Sequence, residues 1–327
     1  MVSKKKKIAI QKKSSLNIFL KKYDRDIGLI LVPIILFVIF QILGIYQNKI
    51  QRDASITSFT SESFKIPVSD YTFFNHPITP PISAEAAIIM DRDSKTVLYS
   101  KNLNLRFSMA STTKLMTALV AVEYFKPQDI LVAKTSHVEG VNVGVEIGDR
   151  LYFKDALYAM LLPSGNDIAY LMAQNYPSGE EAFIKAMNNK ALSLHLKNTH
   201  YVDPAGLDDD GNYTTASELA QLAAYVSQNQ IIADVTATKS KIIQTVDETK
   251  TFTLTNLNQL LGLYGVIGMK TGHTEGAGDV LITSAVDNGH TYILVVMRSQ
   301  DRFADTEMLL SPLVAGVNSF SPRTFVN

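Results

Sequence analysis

The chain has 327 residues, 46% of them hydrophobic, no cysteine and a formal net charge of zero. That length supports one large domain or two small ones with a sizeable core, and the lack of cysteine excludes disulfides, thiolate-bound zinc, iron–sulfur clusters and thiol chemistry. The neutral total hides an asymmetry: residues 1–26 hold nine Lys and Arg against two Asp, a net +7, and the remainder carries −7.

A basic tail of this kind suits nucleic acid or a membrane, and the segment after it selects the membrane. A 20-residue apolar run opens at Ile27 and closes at Tyr46, with Gln41 as its only strongly polar member. At about 1.5 Å per residue it spans ~30 Å, the thickness of a hydrocarbon core. Pro33 is tolerable in such a helix. The positive charge ahead of the run keeps the N-terminus cytoplasmic and puts residues after Tyr46 outside. Signal-peptide cores are shorter, about 7–15 residues, and end in a small-x-small site; Gln47 to Arg52 offers none, so the run reads as an uncleaved anchor. Residues 47–83 are polar and Ser/Thr-rich with Pro67, Pro77, Pro80 and Pro81, which favours an extended tether. Tyr71, Phe73 and Phe74 in it imply that part of the tether docks on the domain. The expected division is a basic cytoplasmic tail (1–26), a transmembrane anchor (27–46), an extracytoplasmic linker (47–83) and a catalytic domain (84–327).

Within that domain, residues 84–91 (AEAAIIMD) and 96–99 (TVLY) flank a polar turn and predict a hairpin. A Ser/Thr-rich start at Ser111 followed by Leu115, Met116, Ala118 and Leu119 predicts a capped helix to about Phe125. Apolar residues at helical spacing predict a helix over 151–162, broken at Pro163-Ser164-Gly165-Asn166 and resumed over 167–176; another covers 179–196. Residues 203–211 (DPAGLDDDG) are loop chemistry. Asp208, Asp209 and Asp210 lack the spacing and terminal Glu of an EF-hand and read as a solvated loop. Thr215 and Glu218 match a capping box, opening a helix to about Gln228. Asn288-Gly289 between two arms dense in β-branched residues, 279–286 and 290–297, predicts a hairpin, and a last helix runs from Arg302 to about Val317. Strands at both ends with helices between predict a mixed α/β domain: an antiparallel sheet built from both termini and flanked by helices, with a helical region inserted in the middle.

Three short patterns carry chemistry. Ser111 and Lys114 lie three apart on one helical face, so an amine stands beside a hydroxyl, and a neutral lysine there can take the serine proton. Alone, Ser-x-x-Lys is also what an ordinary capped helix with a solvated lysine looks like. Ser164-Gly165-Asn166 in the break between two helices is common turn punctuation; as part of a site it would project a hydroxyl able to relay a proton and a carboxamide able to bind substrate backbone and hold Lys114. At Lys270-Thr271-Gly272-His273 a phosphate loop is excluded, because Met269 and Tyr264 stand where that motif needs glycine. As a strand, Lys270 and Thr271 can anchor a carboxylate, and Gly272 lets substrate lie close along the backbone. The six histidines show no metal-ligand spacing, and His273 reads as an oriented strand residue.

The order Ser-x-x-Lys, Ser-x-Asn, Lys-Thr-Gly is the set found in penicillin-binding proteins and class A β-lactamases. From about Ala84 to about Ser319 the chain resembles the D-alanyl-D-alanine carboxypeptidases among the low-molecular-mass penicillin-binding proteins, through ASTTKLMTAL, PSGND, DPAGLDDDGNYTTASELA and GMKTGHTEGAG. The resemblance implies a β-lactamase/DD-transpeptidase-like fold. It implies Ser111 as the acylated nucleophile, Lys114 as its proton acceptor and Ser164 as a proton-transfer group beside Asn166. Lys270 and Thr271 would hold the terminal carboxylate of substrate or β-lactam, and the backbone N–H groups of Ser111 and His273 would form the oxyanion hole. The implied substrate is the D-Ala-D-Ala end of peptidoglycan pentapeptides, with no metal or other cofactor and no nucleic acid, on a single-pass protein of the bacterial membrane facing outward. Burial and the nearby Lys270 charge are expected to lower the Lys114 pKa. Family members often add a β-rich C-terminal domain and a C-terminal amphipathic anchor; here the sequence stops at Asn327, and the N-terminal helix is expected to supply attachment. Two other readings compete. A serine β-lactamase needs a deacylating group, often in Glu-x-x-Leu-Asn, and no such string occurs. A penicillin- or peptidoglycan-binding sensor would acylate without turnover.

Overall fold

A computed structural model describes residues 80–207 and 211–318, all within the unit that begins at Phe73. The predicted tail, anchor and most of the linker lie outside the described residues, as do Asp208, Asp209 and Asp210; among the described residues no helix is long and apolar enough to cross a membrane.

In chain order the elements are β1 (Ala86–Asp91), β2 (Val97–Lys101), β3 (Arg106–Ser108), a 3-10 turn (Ala110–Thr113), α1 (Lys114–Tyr124), β4 (Ile130–Val132), β5 (Arg150–Tyr152), α2 (Phe153–Leu161), α3 (Asn166–Asn175) and α4 (Gly179–Ser193). There follow β6 (Tyr213–Thr215), α5 (Ala216–Val226), α6 (Gln230–Thr236), β7 (Ser240–Gln244), β8 (Thr251–Thr255), β9 (Val266–Thr274), β10 (Gly278–Asp287), β11 (His290–Ser299) and α7 (Arg302–Asn318). The main sheet has the order β2-β1-β11-β10-β9 and every pairing in it is antiparallel. The N-terminal hairpin and the C-terminal strands therefore share one sheet, as the patterning predicts, with the helices between them in sequence.

Alternation along the strands builds two apolar layers. Ala86, Ile88 and Met90 of β1 and Ile293, Val295 and Met297 of β11 face the helical side and pack with α1 to α6. Ala87, Ile89, Leu294 and Val296 face the other side, where Leu309, Leu310 and Leu313 of α7 cover them. A strand covered on both faces reads as an unbroken apolar run, which is why AAIIMD shows no alternation. The β10–β11 turn has φ values of 45° at Asn288 and 81° at Gly289, the left-handed pair that a tight hairpin needs.

Two local expectations are corrected. No side chain caps the 3-10 turn or α1; Ser111 sits inside a tight turn held by tertiary contacts rather than at a capped start. The capping box of α5 forms by half. Thr215 Oγ1 accepts from the Glu218 N–H at 3.2 Å, while the Glu218 carboxylate turns to the Asn198 N–H at 2.9 Å and the Thr199 hydroxyl at 2.6 Å. The β7–β8 hairpin, of whose arms only Ile243 and Leu254 are buried, and α6, whose N-cap Asn229 accepts from the Ile232 N–H at 3.3 Å, are not among the expected elements.

Candidate active site

The 3-10 turn places Ser111 between the loop 203–207 and β9. Ala110 before it has φ of 47°, a conformation costly for a residue with Cβ. The loop 203–207 and β9 hold that conformation in place. Gly206, at φ +78°, lies so close that an added methyl would stand 2.0 Å from the Ala110 carbonyl oxygen. From the other side β9 brings Gly272 against the turn, where a methyl would stand 3.1 Å from the Ser111 amide nitrogen. Glycine at 272 is thus what allows the strand to run beside the Ser111 backbone.

Lys114, three residues on, is fully buried at 0% exposure. Its Nζ donates to Ser111 Oγ at 2.8 Å, Asn166 Oδ1 at 2.6 Å and the Ala205 carbonyl at 2.8 Å. Three acceptors match the three donors of an ammonium, and equally fit an amine that accepts from the serine hydroxyl. Burial lowers the Lys114 pKa to about 7 against the opposing pull of the Asp203 and Asp167 carboxylates. Desolvation, anticipated from sequence together with the Lys270 charge, is the main cause.

The turn between α2 and α3 supplies the second group. Ser164 has φ of 69° and is 3% exposed. Asn166 opens α3; its Nδ2 donates to the Glu139 carbonyl at 2.6 Å, its N–H to the Val141 carbonyl at 2.7 Å. Both ends of the carboxamide are thus engaged by the protein. Asp167 beside it accepts from the N–H groups of Val143 and Gly144 at 3.0 and 2.9 Å and pins that loop.

Strand β9 closes the constellation. Lys270, 1% exposed, donates to Ser164 Oγ at 3.0 Å and to the Thr271 carbonyl at 2.9 Å. Burial pushes its pKa well down, and the Lys114 and Arg302 charges push the same way. Thr271 is buried beside it, and His273 is exposed with Nδ1 2.6 Å from Asp279 Oδ1. Ser111, Lys114, Ser164, Asn166, Lys270, Thr271, Gly272 and His273 therefore gather at one site, though they come from three separated segments.

Sequence reasoning missed four supports. Ala205 gives Lys114 a carbonyl acceptor. Asp203 shapes that loop by accepting the Ala205 and Gly206 N–H groups at 2.7 Å each, together with Asn212 Nδ2. Arg302 donates to the Gly272 carbonyl at 2.6 Å, and Asp279 lies against Arg302 and His273. The DPAG string marks a turn but not its target; nothing local marks Asp279 or Arg302.

The arrangement can activate a hydroxyl by a neutral amine and receive an anion at a second amine. The family pattern for D-alanyl-D-alanine carboxypeptidase matches residues 74–301. The chain is 34% identical over 249 residues to a D-alanyl-D-alanine endopeptidase of Pseudomonas aeruginosa, covering 73% of this chain and 80% of that one. It is 34% identical over 239 residues to a D-alanyl-D-alanine carboxypeptidase of Streptomyces sp. strain K15, covering 67% and 82%. The crystal structure of the Streptomyces K15 DD-transpeptidase superposes with a TM-score of 0.67 at 30% identity, over 71% of this chain and 97% of that one. The chain belongs to the D-alanyl-D-alanine carboxypeptidase family.

Proposed function

We propose that this protein is a serine-type D-alanyl-D-alanine carboxypeptidase that trims peptidoglycan stem peptides through an acyl-enzyme on Ser111. The observation that carries the reading is the bonded row Ser111 Oγ–Lys114 Nζ–Asn166 Oδ1, with the lysine out of water and its pKa near the working pH.

The substrate carboxylate pairs with Lys270 and the Thr271 hydroxyl. Its arrival restores the charge that burial takes from Lys270, while Lys114 stays neutral. Lys114 takes the Ser111 proton as Oγ attacks the carbonyl of the penultimate D-Ala. The Ser111 and His273 N–H groups receive the oxyanion; one such donor contributes roughly 3–4 kcal/mol to the lowered barrier. Ser164, bonded to Lys270, passes its hydroxyl proton to the leaving D-Ala amine and regains one from the protonated Lys114, which returns Lys114 to the neutral amine. Water then hydrolyses the ester and Ser111 recovers its proton. A β-lactam offers the same carboxylate and a reactive amide, so it acylates Ser111 and inhibits. Residues 27–46 anchor the protein in the bacterial membrane with the domain outside, supported by their length, apolarity and preceding charge. Cleavage of cross-links at the same site is the second reading, favoured by the similarity to the Pseudomonas aeruginosa endopeptidase.

The test is D-Ala release from a D-Ala-D-Ala-ended peptide by the full-length protein in detergent. Release that Ser111→Ala abolishes supports the proposal. Stable penicillin labelling without release makes the protein a sensor, and rapid penicillin hydrolysis makes it a β-lactamase.

A further inference from the structure

The end of the main sheet away from Ser111 carries an apolar surface left in water. Leu263, Tyr264, Ile267 and Val286 there are each 40–51% exposed. They share one small structure. Leu263 to Val266 form a tight turn in which the Val266 N–H donates to the Leu263 carbonyl at 2.8 Å, with φ of 50° at Tyr264 and 74° at Gly265. The Val286 N–H donates to the Gly265 carbonyl at 2.9 Å, and a methyl on Gly265 would stand 2.2 Å from the Val286 carbonyl oxygen. The turn is thus locked against the end of β10. Ile267 is the extra residue between the pairs Val266–Ala285 and Gly268–Ser284, and a bulge of this kind re-aims its side chain. Leu260, Leu261 and Val266 of the same segment are buried and hold it to the core.

The chemistry of this surface suits a lipid headgroup boundary. No residue from 256 to 269 is charged, and Lys239 beside Gly262 and Asp287 after Val286 offset each other at the margin. A tyrosine among aliphatic side chains is the pattern found where protein meets a membrane–water interface. The chain ahead of the domain selects the same partner. It enters the sheet at Ser83, which bonds to Ser299 and Asp305. That is the end where Ser299 pairs with Asp279 and Asp279 with His273, opposite the turn. β10 is 10 residues long, so the two ends stand about 33 Å apart. Residues 47–79, between the proposed anchor and this entry, have a mean span of roughly 30 Å as a flexible chain. A tether whose span matches the distance presents the turn to the bilayer at close to the maximal effective concentration.

Resting on the membrane-anchored reading above, we propose that the 263–267 turn, with Val286, docks on the phospholipid surface as a second membrane contact. Gly272, beside the Ser111 backbone, lies at most about 20 Å from Val266 along β9. Docking therefore keeps the Ser111 site close to the bilayer, although the tether joins the domain at the far end of the sheet.

The test exploits the lack of tryptophan in the sequence. Tyr264→Trp places a single indole on the turn of the full-length protein, and Tyr124→Trp places one on an exposed site of α1. Each is reconstituted at one copy per nanodisc of phosphatidylcholine and phosphatidylglycerol, with plain or brominated acyl chains. Tyr264→Trp emission should be blue-shifted and quenched about twofold by bromine, since an interfacial segment sits about 5–10 Å into the headgroup boundary. Tyr124→Trp should show neither effect. Adding Leu263→Ser and Ile267→Ser to Tyr264→Trp should abolish the quenching, with little change in melting temperature because both side chains are exposed. Should Tyr264→Trp fail to fold by circular dichroism, Ile267→Trp carries the same measurement. Equal quenching at positions 264 and 124 would overturn the proposal. So would a blue shift without bromine quenching, which would mean that protein rather than lipid covers the turn. Failure of the anchor reads separately. A wild-type protein that does not float with vesicles after detergent removal contradicts the anchor, and this inference falls with it; one that floats while Tyr264→Trp stays unquenched contradicts the docking alone.

Discussion

The two faces of the main sheet are built by opposite rules. The outer face, under α7, is an apolar seal with one charged pin. Asp305 accepts from the Ser83 and Ala84 N–H groups at 2.8 and 2.7 Å, and from the Ser83 and Ser299 hydroxyls at 2.8 and 2.6 Å. Burial would raise its pKa, but the hydrogen bonds outweigh that and hold the carboxyl below its ordinary value. That carboxylate is fully hydrogen-bonded and stabilising. The helical face carries Lys114 and Lys270, both buried and both with depressed pKa values. It also carries two non-glycine residues, Ala110 and Ser164, in left-handed conformations. These features cost stability, and each lies at the Ser111 site. The contrast teaches that this face is arranged for chemistry, and that the outer face offsets part of the cost.

Substitutions should separate the two faces. Ser111→Ala has the largest expected effect: D-Ala release falls about 10⁴-fold or more, with a melting temperature close to wild type by calorimetry. Lys114→Met removes the base and should lower the acylation rate about 10³-fold, measured by stopped-flow with a chromogenic β-lactam. Gly272→Ala puts a methyl 3.1 Å from the Ser111 nitrogen and the Ala110 Cβ. The strand must shift by a few tenths of an ångström, and kcat/KM should fall about tenfold. Asp305→Ala reverses the pattern: urea unfolding should show a loss of about 3 kcal/mol from stranded buried donors, with kcat per folded molecule unchanged. An outer-face variant that lost activity without losing stability would erase the distinction.

Acid should expose the same difference. The Asp305 pKa is depressed on folding, so its contribution is present above the unfolded carboxyl pKa and is lost as pH falls through the folded one. Lys114 has the reverse sign. Its folded pKa of about 7 lies below the ordinary 10.5, so the unfolded chain binds more protons between those values and stability rises with pH across that window.

What the sequence made legible was local. Ser111 and Lys114 share one turn, so helical spacing alone makes them neighbours. The main-sheet hairpins announce themselves by apolar runs and Asn288-Gly289. What it concealed depends on contacts between distant segments. The Ala205 carbonyl meets Lys114 across 91 residues of chain, and Arg302 reaches Gly272 across 30. Nor does composition show that Ser111 lies in a strained 3-10 turn. That conformation is imposed by Gly206 on one side and Gly272 on the other, and no capping preference encodes it. Glu218 illustrates the same limit: it has the spacing of a capping box, yet the Asn198–Thr199 backbone and hydroxyl donors compete successfully for its carboxylate.

The central claim is that a lysine kept neutral by burial activates Ser111. Its most direct test is the pH dependence of the acylation rate constant between pH 5 and 10 for the wild-type protein. The rate should climb tenfold per pH unit on the acid side and level off at about 7, where Lys114 loses its proton. A rate that is flat through neutrality, or that keeps climbing toward the ordinary lysine value of 10.5, would contradict the account.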